Sequence, residues 1–358
     1  MGRHWKILAA ALSLLIGTCG YGASRALVPR FAYVANNQDD TVSIFAIRGY
    51  RLRAVGYVYT GLGSNPRSVV GTPSQAFLYV ALGNVGIAAY SVNNITGSLT
   101  PVVGSPFVAG PEFSIAMHPT GRFLVALSGT GVTVYAIDQG TGALASVQTV
   151  SGNSPISAAI DPTGSFLFTA NVNSDNISAF TINQNTGILT SVPGSPFPSG
   201  PNPQSVAIQH GKFLYVPNGN GASVSAYAIN SKTGALTEVA GSPFPAGSVP
   251  ISAVTKNSFL FVGNSADKTV SQYSIDPTTG SLTQVAAAFP TGGSGPLGLA
   301  ASPTEPLLYV ADHDSDEVVV LGITKAGVLF NESSIRTRGS ALSIALASGT
   351  AAVTYSPK

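Results

Sequence analysis

TGILTSVPGSPFPSGPNPQSVAIQHGKFLYVPN, residues 186–218, returns as TGALTEVAGSPFPAGSVPISAVTKNSFLFVGN, residues 233–264. Two long segments so alike in one chain mean that the fold is built from repeats, and the repeat must be delimited before any other reading is attempted. Its clearest marker is the aromatic-aliphatic run FLYV. It occurs as FAYVAN from Phe31, FLYVAL from Phe77, FLVALS from Phe123, FLFTAN from Phe166, FLYVPN from Phe213, FLFVGN from Phe259 and LLYVAD from Leu307, at intervals of 43 to 48 residues. A degenerate further copy, AAVTYS, begins at Ala351.

Each repeat holds four short runs rich in β-branched and aromatic residues, here labelled a to d. Around Phe213 they are QSVAI (204–208), FLYVP (213–217), VSAYAI (224–229) and ALTEVA (235–240). Alternating or short apolar runs of this kind are strands. Pro-Thr-Gly at 119–121 and 162–164 marks the a–b turn, and Asn-Thr-Gly at 185–187 and Lys-Thr-Gly at 232–234 marks the c–d turn. Glycine supplies the positive φ that such turns demand. The long d–a connections carry GSPF and further prolines, which cannot sit in central strands. Four antiparallel strands per unit, at a period above about 40 residues, predict an all-β, seven-bladed β-propeller. Ring closure is legible too. The first unit starts at strand b, while ALSIAL (341–346) is a surplus strand a near the end. Ala341–Leu346 is therefore expected to become the innermost strand of the first blade, leaving no open sheet edge. AAVTYS has no assigned place.

The run TGxLTxVxGSPFxxGxxPxxVAxxPxGxFLYVxN resembles the lactonase-family β-propellers, including the 6-phosphogluconolactonases and the carboxymuconate lactonising enzymes. YVAN followed by TVSIFAI (33–36 and 41–47) resembles the YVTN repeats of surface propellers. The resemblance spans residues 31–355. It implies the propeller fold and, for activity, hydrolysis of a lactone ester with His and Arg around the central channel. Repeat residues are mostly strand and turn residues, so the resemblance speaks to fold before chemistry.

Residues 1–26 read as an export signal. Arg3, His4 and Lys6 precede a ten-residue apolar run, Ile7–Ile16, too short to span a bilayer, and Ser24-Arg25-Ala26 offers a cleavage site. Ile16-Gly17-Thr18-Cys19 resembles a lipobox, with Thr18 departing from the small residue expected before the cysteine; Cys19 is thus either a lipid-attachment site or part of a discarded signal. Residues 27–358 form one domain, expected outside the cytoplasm, monomeric, and without a transmembrane span. It has no cysteine pair to staple it. Charged residues make up only 9% of the chain and the formal net charge is +2, with no basic run in the body, which argues against nucleic-acid binding. No cofactor motif is present.

The residue after the last proline of each d–a connection is expected at the channel mouth. These are Arg67, Glu112, Ile156, Gln204, Ile251 and Leu297, with Arg336 and Arg338 supplied by the closing connection. Arg67, Glu112, Gln204, Arg336 and Arg338 are thus the candidate ligand-binding residues. For Arg67 and Glu112 three readings stay open: an ion pair between blades, an anion- or sugar-binding pocket, or catalysis. Asn65-Pro66-Arg67-Ser68 keeps the Arg of the lactonases' Pro-Arg-His-type motif and lacks its His. His118 and His210 fall in a–b turns on the opposite face, and His313 in a hairpin tip. No catalytic residue is assigned. Asp312, Asp314 and Asp316 form the densest acidic cluster; it lacks the glycine and distant glutamate of a calcium loop, and a solvated hairpin tip is preferred over a metal site. The expected role is an exported ligand- or partner-binding protein, the partner being a small anion or an envelope protein or glycan. Lactone hydrolysis and a surface-layer scaffold are the alternatives.

Overall fold

The computed structural model describes residues 30–107, 110–293 and 295–346. The signal, Cys19 and the terminal run 351–356 lie outside the described residues. Among the described residues no helix is long and apolar enough to cross a membrane.

Seven antiparallel sheets follow one another around a ring. The innermost strands are, in ring order, Ala341–Leu346, Pro66–Gly71, Ser114–Met117, Pro155–Ile160, Ala207–Gln209, Pro250–Lys256 and Pro296–Ala301. Blade 1 closes as expected: Ala341–Leu346 pairs antiparallel with Phe31–Asn36, and Thr41–Arg48 and Arg51–Tyr59 complete the sheet. The b strands are buried along almost their whole length, because each is covered on both faces by neighbouring blades.

Three repeated contacts explain the repeat consensus. The first joins each b strand to the c–d turn of the next blade. Phe31, Phe77, Phe123, Phe166, Phe213 and Phe259 lie against Gly97, Gly142, Gly187, Gly234, Gly280 and Gly327, each with a positive φ. A Cβ at Gly187 would fall 2.7 Å from Phe123 Cε1. Glycine is therefore required twice, for the turn and for the ring beneath it. Tyr33, Tyr79 and Tyr215 add hydroxyl bonds of 2.9–3.0 Å to the carbonyls of Gly97, Gly142 and Gly280. The seventh interface departs from this pattern: Leu307 replaces the Phe, and Gly49 has nothing within 4 Å of its would-be Cβ.

The second contact recurs at three interfaces of the inner ring. The backbone N–H of Val69 donates to Ser343 Oγ at 3.2 Å, that of Ile115 to Ser68 Oγ at 3.3 Å, and that of Val206 to Ser157 Oγ at 3.3 Å. Inner-strand serines thus satisfy backbone donors of the next blade that no ladder reaches. The third contact explains GSPF. Ser105, Ser195 and Ser242 Oγ accept from the N–H groups of Ala89, Ala179 and Ala226 at 2.9–3.1 Å, where the d strand has left the sheet.

The opposite face has its own interlocks. His118 is buried in its a–b turn, accepts at Nδ1 from Thr120 N–H, and donates from Nε2 to Gly164 O of the next blade at 3.0 Å. Gln209 and Lys256 reach Asn257 O and Ser302 O in the same way. Burial lowers the His118 pKa, which preserves the neutral ring that this geometry needs.

The Phe–Gly contact predicts an asymmetric glycine scan. Gly280→Ala meets both αL strain of about 1–2 kcal/mol and overlap with a ring worth about 1–3 kcal/mol. Gly49→Ala meets only the strain, since nothing crowds it. Urea melts should show the Gly280 variant losing at least about twice as much stability as the Gly49 variant; equal losses would refute the interlock.

Candidate functional site at the channel mouth

Register decides which side chains face the channel. Ser68, Ser114, Ser157, Ser252, Gly298 and Ser343 each oppose the fifth residue of their b strand: Ala81, Leu127, Ala170, Gly263, Ala311 and Ala35. Gln204 N–H bonds Pro217 O and Phe113 N–H bonds Leu127 O, which places Phe113 level with Gln204. The mouth ring is therefore Arg67, Phe113, Ile156, Gln204, Ile251, Leu297 and Leu342.

Three expectations change. Glu112 stands one place earlier, where other blades have Pro66, Pro155, Pro203, Pro250 and Pro296, and a one-residue offset turns a side chain to the other face. The cause is Pro111. Asn65, Ser154, Asn202, Val249, Gly295 and Ser340 hold the equivalent place with positive φ, and each carbonyl accepts from the first residue after the b strand. Proline cannot adopt that φ. Glu112 N–H instead bonds Leu82 O of blade 2. Arg336 is not at the mouth either. It ends the outermost strand Leu329–Arg336, opposite Glu317. Arg338 stacks on Tyr57 of the outermost strand of blade 1, 3.9 Å from its ring centroid, and lies 3.9 Å from Asp39. The blade 1 mouth position belongs to Leu342, packed with Ile251 and Leu297.

What remains is an apolar mouth with two polar side chains. The Arg67 guanidinium lies 5.1 Å from the Phe113 ring centroid, a cation–π contact between adjacent blades. It makes no ion pair with Glu112, and burial lowers its pKa. Arg67 Nε, Asn65 Oδ1 and Gln204 Oε1 are buried without partners; Ser205 Oγ is too, as is its counterpart Ser252 Oγ in blade 6. Such groups are costly to leave unbonded; the hairpin Asn36, Asn218 and Asn264 Oδ1 atoms share this state, so it is the unpartnered guanidinium nitrogen and the Gln204 amide oxygen that set the mouth apart.

The residue that follows each b strand is a sequence signal for these positions. In blades 2, 3 and 5 the b strand is followed by Gly83, Gly129 and Gly219; in the other four by Asn37, Val172, Ser265 and His313. The three glycines sit beside Arg67, Phe113 and Gln204 respectively. A Cβ at Gly83 would come within 2.5 Å of Arg67 Nε and 3.1 Å of its Cδ. Aliphatic mouth residues accompany the four bulkier hairpin starts. The missing Cβ makes room for Arg67 at Gly83 and for Gln204 at Gly219, whose would-be Cβ lies 3.0 Å from Gln204 Cγ, whereas a Cβ at Gly129 would meet Phe113 only at an ordinary 3.5 Å.

Hairpin-tip carboxylates hold the connections that lead to this ring. Asp40 accepts from Gly63 and Asn65 N–H at 2.7 and 2.8 Å, Asp175 from Asn202 at 2.7 Å, Asp267 from Ser248 at 2.7 Å and Asp316 from Ser340 at 2.5 Å. The acidic cluster of blade 7 is thereby divided. Asp316 braces the closing connection, Asp314 bonds His313 Nδ1 at 2.7 Å, and Asp312 is fully buried beneath the hairpin. Among the described residues no group of three or more His, Cys, Asp or Glu side chains is arranged to hold a metal ion. Asp312 occupies the place of Asn36, Asn171, Asn218 and Asn264, whose Nδ2 groups donate across their hairpins. A carboxylate has no such donor. Burial pushes Asp312 up to about 7, against the hydrogen bond from Thr291, with Glu317 and Asp314 adding to the rise. Glu112, with Oε2 unpartnered, is also raised to about 7 by burial.

The family description "Lactonase, 7-bladed beta-propeller" matches residues 26–113, 112–207 and 248–339. The chain belongs to that lactonase family. Among solved structures, the periplasmic gluconolactonase of Pseudomonas aeruginosa superposes with a TM-score of 0.74 at 19% identity, over 88% of this chain and 98% of that one. A putative 6-phosphogluconolactonase from Bacteroides fragilis gives 0.77 at 19%, over 90% and 98%. Kuenenia stuttgartiensis hydrazine synthase gives 0.61 at 18%, over 87% and 100%. No curated protein matches. At these identities the lactonase propeller's likeness to solved structures is one of fold.

The two raised carboxyls set a pH signature in this lactonase-family chain. Each binds its proton more tightly folded than unfolded, so its contribution to stability is full below its unfolded pKa near 4 and is lost as pH rises through about 7. Asp312→Asn should therefore raise the urea midpoint at pH 8, by about 1–2 kcal/mol of stability, and the gain should shrink at pH 5. A gain independent of pH would mean that Asp312 does not titrate in this range.

Proposed function

We propose that this protein is a ligand-binding member of the lactonase family, holding a small organic anion at its channel mouth through Arg67 without hydrolysing it. One observation carries the reading: a guanidinium stacked on Phe113, with Nε unpartnered, in a ring otherwise of apolar residues and Gln204. Arginine matches carboxylate and phosphate geometry. The described histidines serve elsewhere. His118 ties two blades, His210 bonds Gln209 and His313 bonds Asp314. A lactone hydrolase needs a base within reach of water or of the ester carbonyl, and the mouth ring offers none.

The second reading, lactone hydrolysis, is supported by family membership and by Glu112, whose carboxyl titrates near neutrality. Glucono-δ-lactone and 6-phosphogluconolactone separate the two. Hydrolysis no faster than in buffer alone is expected; turnover well above that rate overturns the noncatalytic reading. For binding, D-gluconate is the probe. Arg67→Gln should weaken it by about tenfold or more. Gly83→Ala, which displaces the Arg67 side chain without removing it, should weaken it too. Unchanged affinity in both variants would place the ligand elsewhere.

Export is supported by the N-terminal pattern of Arg3, His4 and Lys6, the apolar run and Ser24-Arg25-Ala26, and by likeness to a relative described as periplasmic. Recruitment of an envelope protein or glycan, or a place in a surface layer, would use the same exported propeller. Mass spectrometry of the protein from fractionated cells should find a mature chain beginning at Leu27. A lipid-modified Cys19 would instead assign membrane anchoring, and an intact residue 1–26 segment in the cytoplasmic fraction would exclude export.

A further inference from the structure

On the face opposite the channel mouth, blades 1 and 2 leave a crevice of about 660 Å³ beside the Phe31–Gly97 contact. Arg30, Arg48 and Arg53 line it, together with Ile95 and Thr96 of the blade 2 turn, and no carboxylate does. Only ten arginines occur in the chain, so three on one cavity is a strong concentration. None of the three guanidiniums makes an ion pair or hydrogen bond among the described residues.

Comparison with other blades separates this from a structural use of arginine. Arg122 precedes Phe123 as Arg30 precedes Phe31. Its guanidinium donates to Gln184 O and Asn185 O of the next blade's turn, both at 3.4 Å. Arg30 makes no such bonds and is joined by two further cations. The c–d turn changes as well. Asn93, Asp138, Asn183, Asn230 and Asp276 cap their turns by accepting N–H groups two and three residues on. Blade 1 replaces that cap with Arg48-Gly49-Tyr50-Arg51, a tight hairpin between Thr41–Arg48 and Arg51–Tyr59. Blade 7 also lacks the cap, having Thr324 at that place; in blade 1 the lapse falls where three arginines line the crevice.

We propose that this crevice binds a phosphate-bearing ligand, its phosphoryl oxygens held by Arg30, Arg48 and Arg53. Three guanidiniums without a counter-ion suit a dianionic group and its several acceptor oxygens. The volume admits a small phosphomonoester. The site is independent of the channel mouth and does not rest on the function proposed there.

Calorimetry at low ionic strength, with inorganic phosphate and glycerol 3-phosphate as probes, tests it. Saturable binding is expected, and the triple variant Arg30→Gln, Arg48→Gln, Arg53→Gln should weaken it by about tenfold or more. Lys212→Gln, which removes the cation before Phe213 of blade 5, should leave it unchanged. Thermal melts check that the triple variant folds. Vesicles of phosphatidic acid in phosphatidylcholine distinguish the source. Sedimentation with them that glycerol 3-phosphate competes away, and the triple variant lacks, assigns a lipid headgroup. Phosphoester binding without that sedimentation assigns a soluble ester. The proposal is overturned if neither probe nor vesicle binds, or if a folded triple variant binds as the wild type does.

Discussion

A phenyl ring under a glycine turn is the contact on which this propeller depends. A four-stranded blade cannot bury both faces alone, and a ring holds only if each blade is fixed to the next at the same angle. The Phe that opens the b strand in blades 1 to 6 and the glycine turn of the following blade make that junction in a form that can be repeated. The turn needs positive φ and the ring needs a missing Cβ, and one glycine meets both demands. Where the pattern lapses, between blades 7 and 1, closure passes to another device. Ala341–Leu346 carries the chain end into the first sheet, and Ser333 Oγ bonds Tyr50 O between outer strands.

Most of the repeat consensus is spent on holding the ring together. FLYV supplies the core and the tyrosine hydroxyls; Thr-Gly receives the ring; GSPF caps the c strand; the inner serine bridges to the next backbone. This is why architecture was legible before activity. Strand identity, blade number and the closing strand follow from hydrophobic period, turn residues and the unmatched strand at 341–346, all local properties of the chain.

The mouth was only partly legible because it depends on register across non-adjacent segments. Proline was a sound guide in blades 2, 4, 5, 6 and 7, where a positive-φ residue precedes it. In blade 3 the sequence Gly-Pro-Glu-Phe looks alike, yet its proline occupies the place that needs positive φ. One residue of offset exchanged a glutamate for a phenylalanine at the mouth and removed the ion pair considered for Arg67. Arg336 and Arg338 lie away from the mouth for a related reason. Nearness in sequence to the closing strand says nothing of how far the outermost strand lies from the channel.

Glycine distribution then separates scaffold from specialisation. Glycines at c–d turns recur blade after blade and belong to the ring. Gly83 and Gly219 do not recur in every blade, and each makes room for a side chain that no consensus residue explains. The same logic applies on the opposite face, where the blade 1 hairpin discards the shared turn cap and gathers arginines instead. In a fold so constrained by repetition, a departure that costs an established contact without repairing another is a mark of selection for something besides folding. Arg67 over Gly83 is such a departure: its Nε is left buried and unbonded, a cost that packing of the ring does not require.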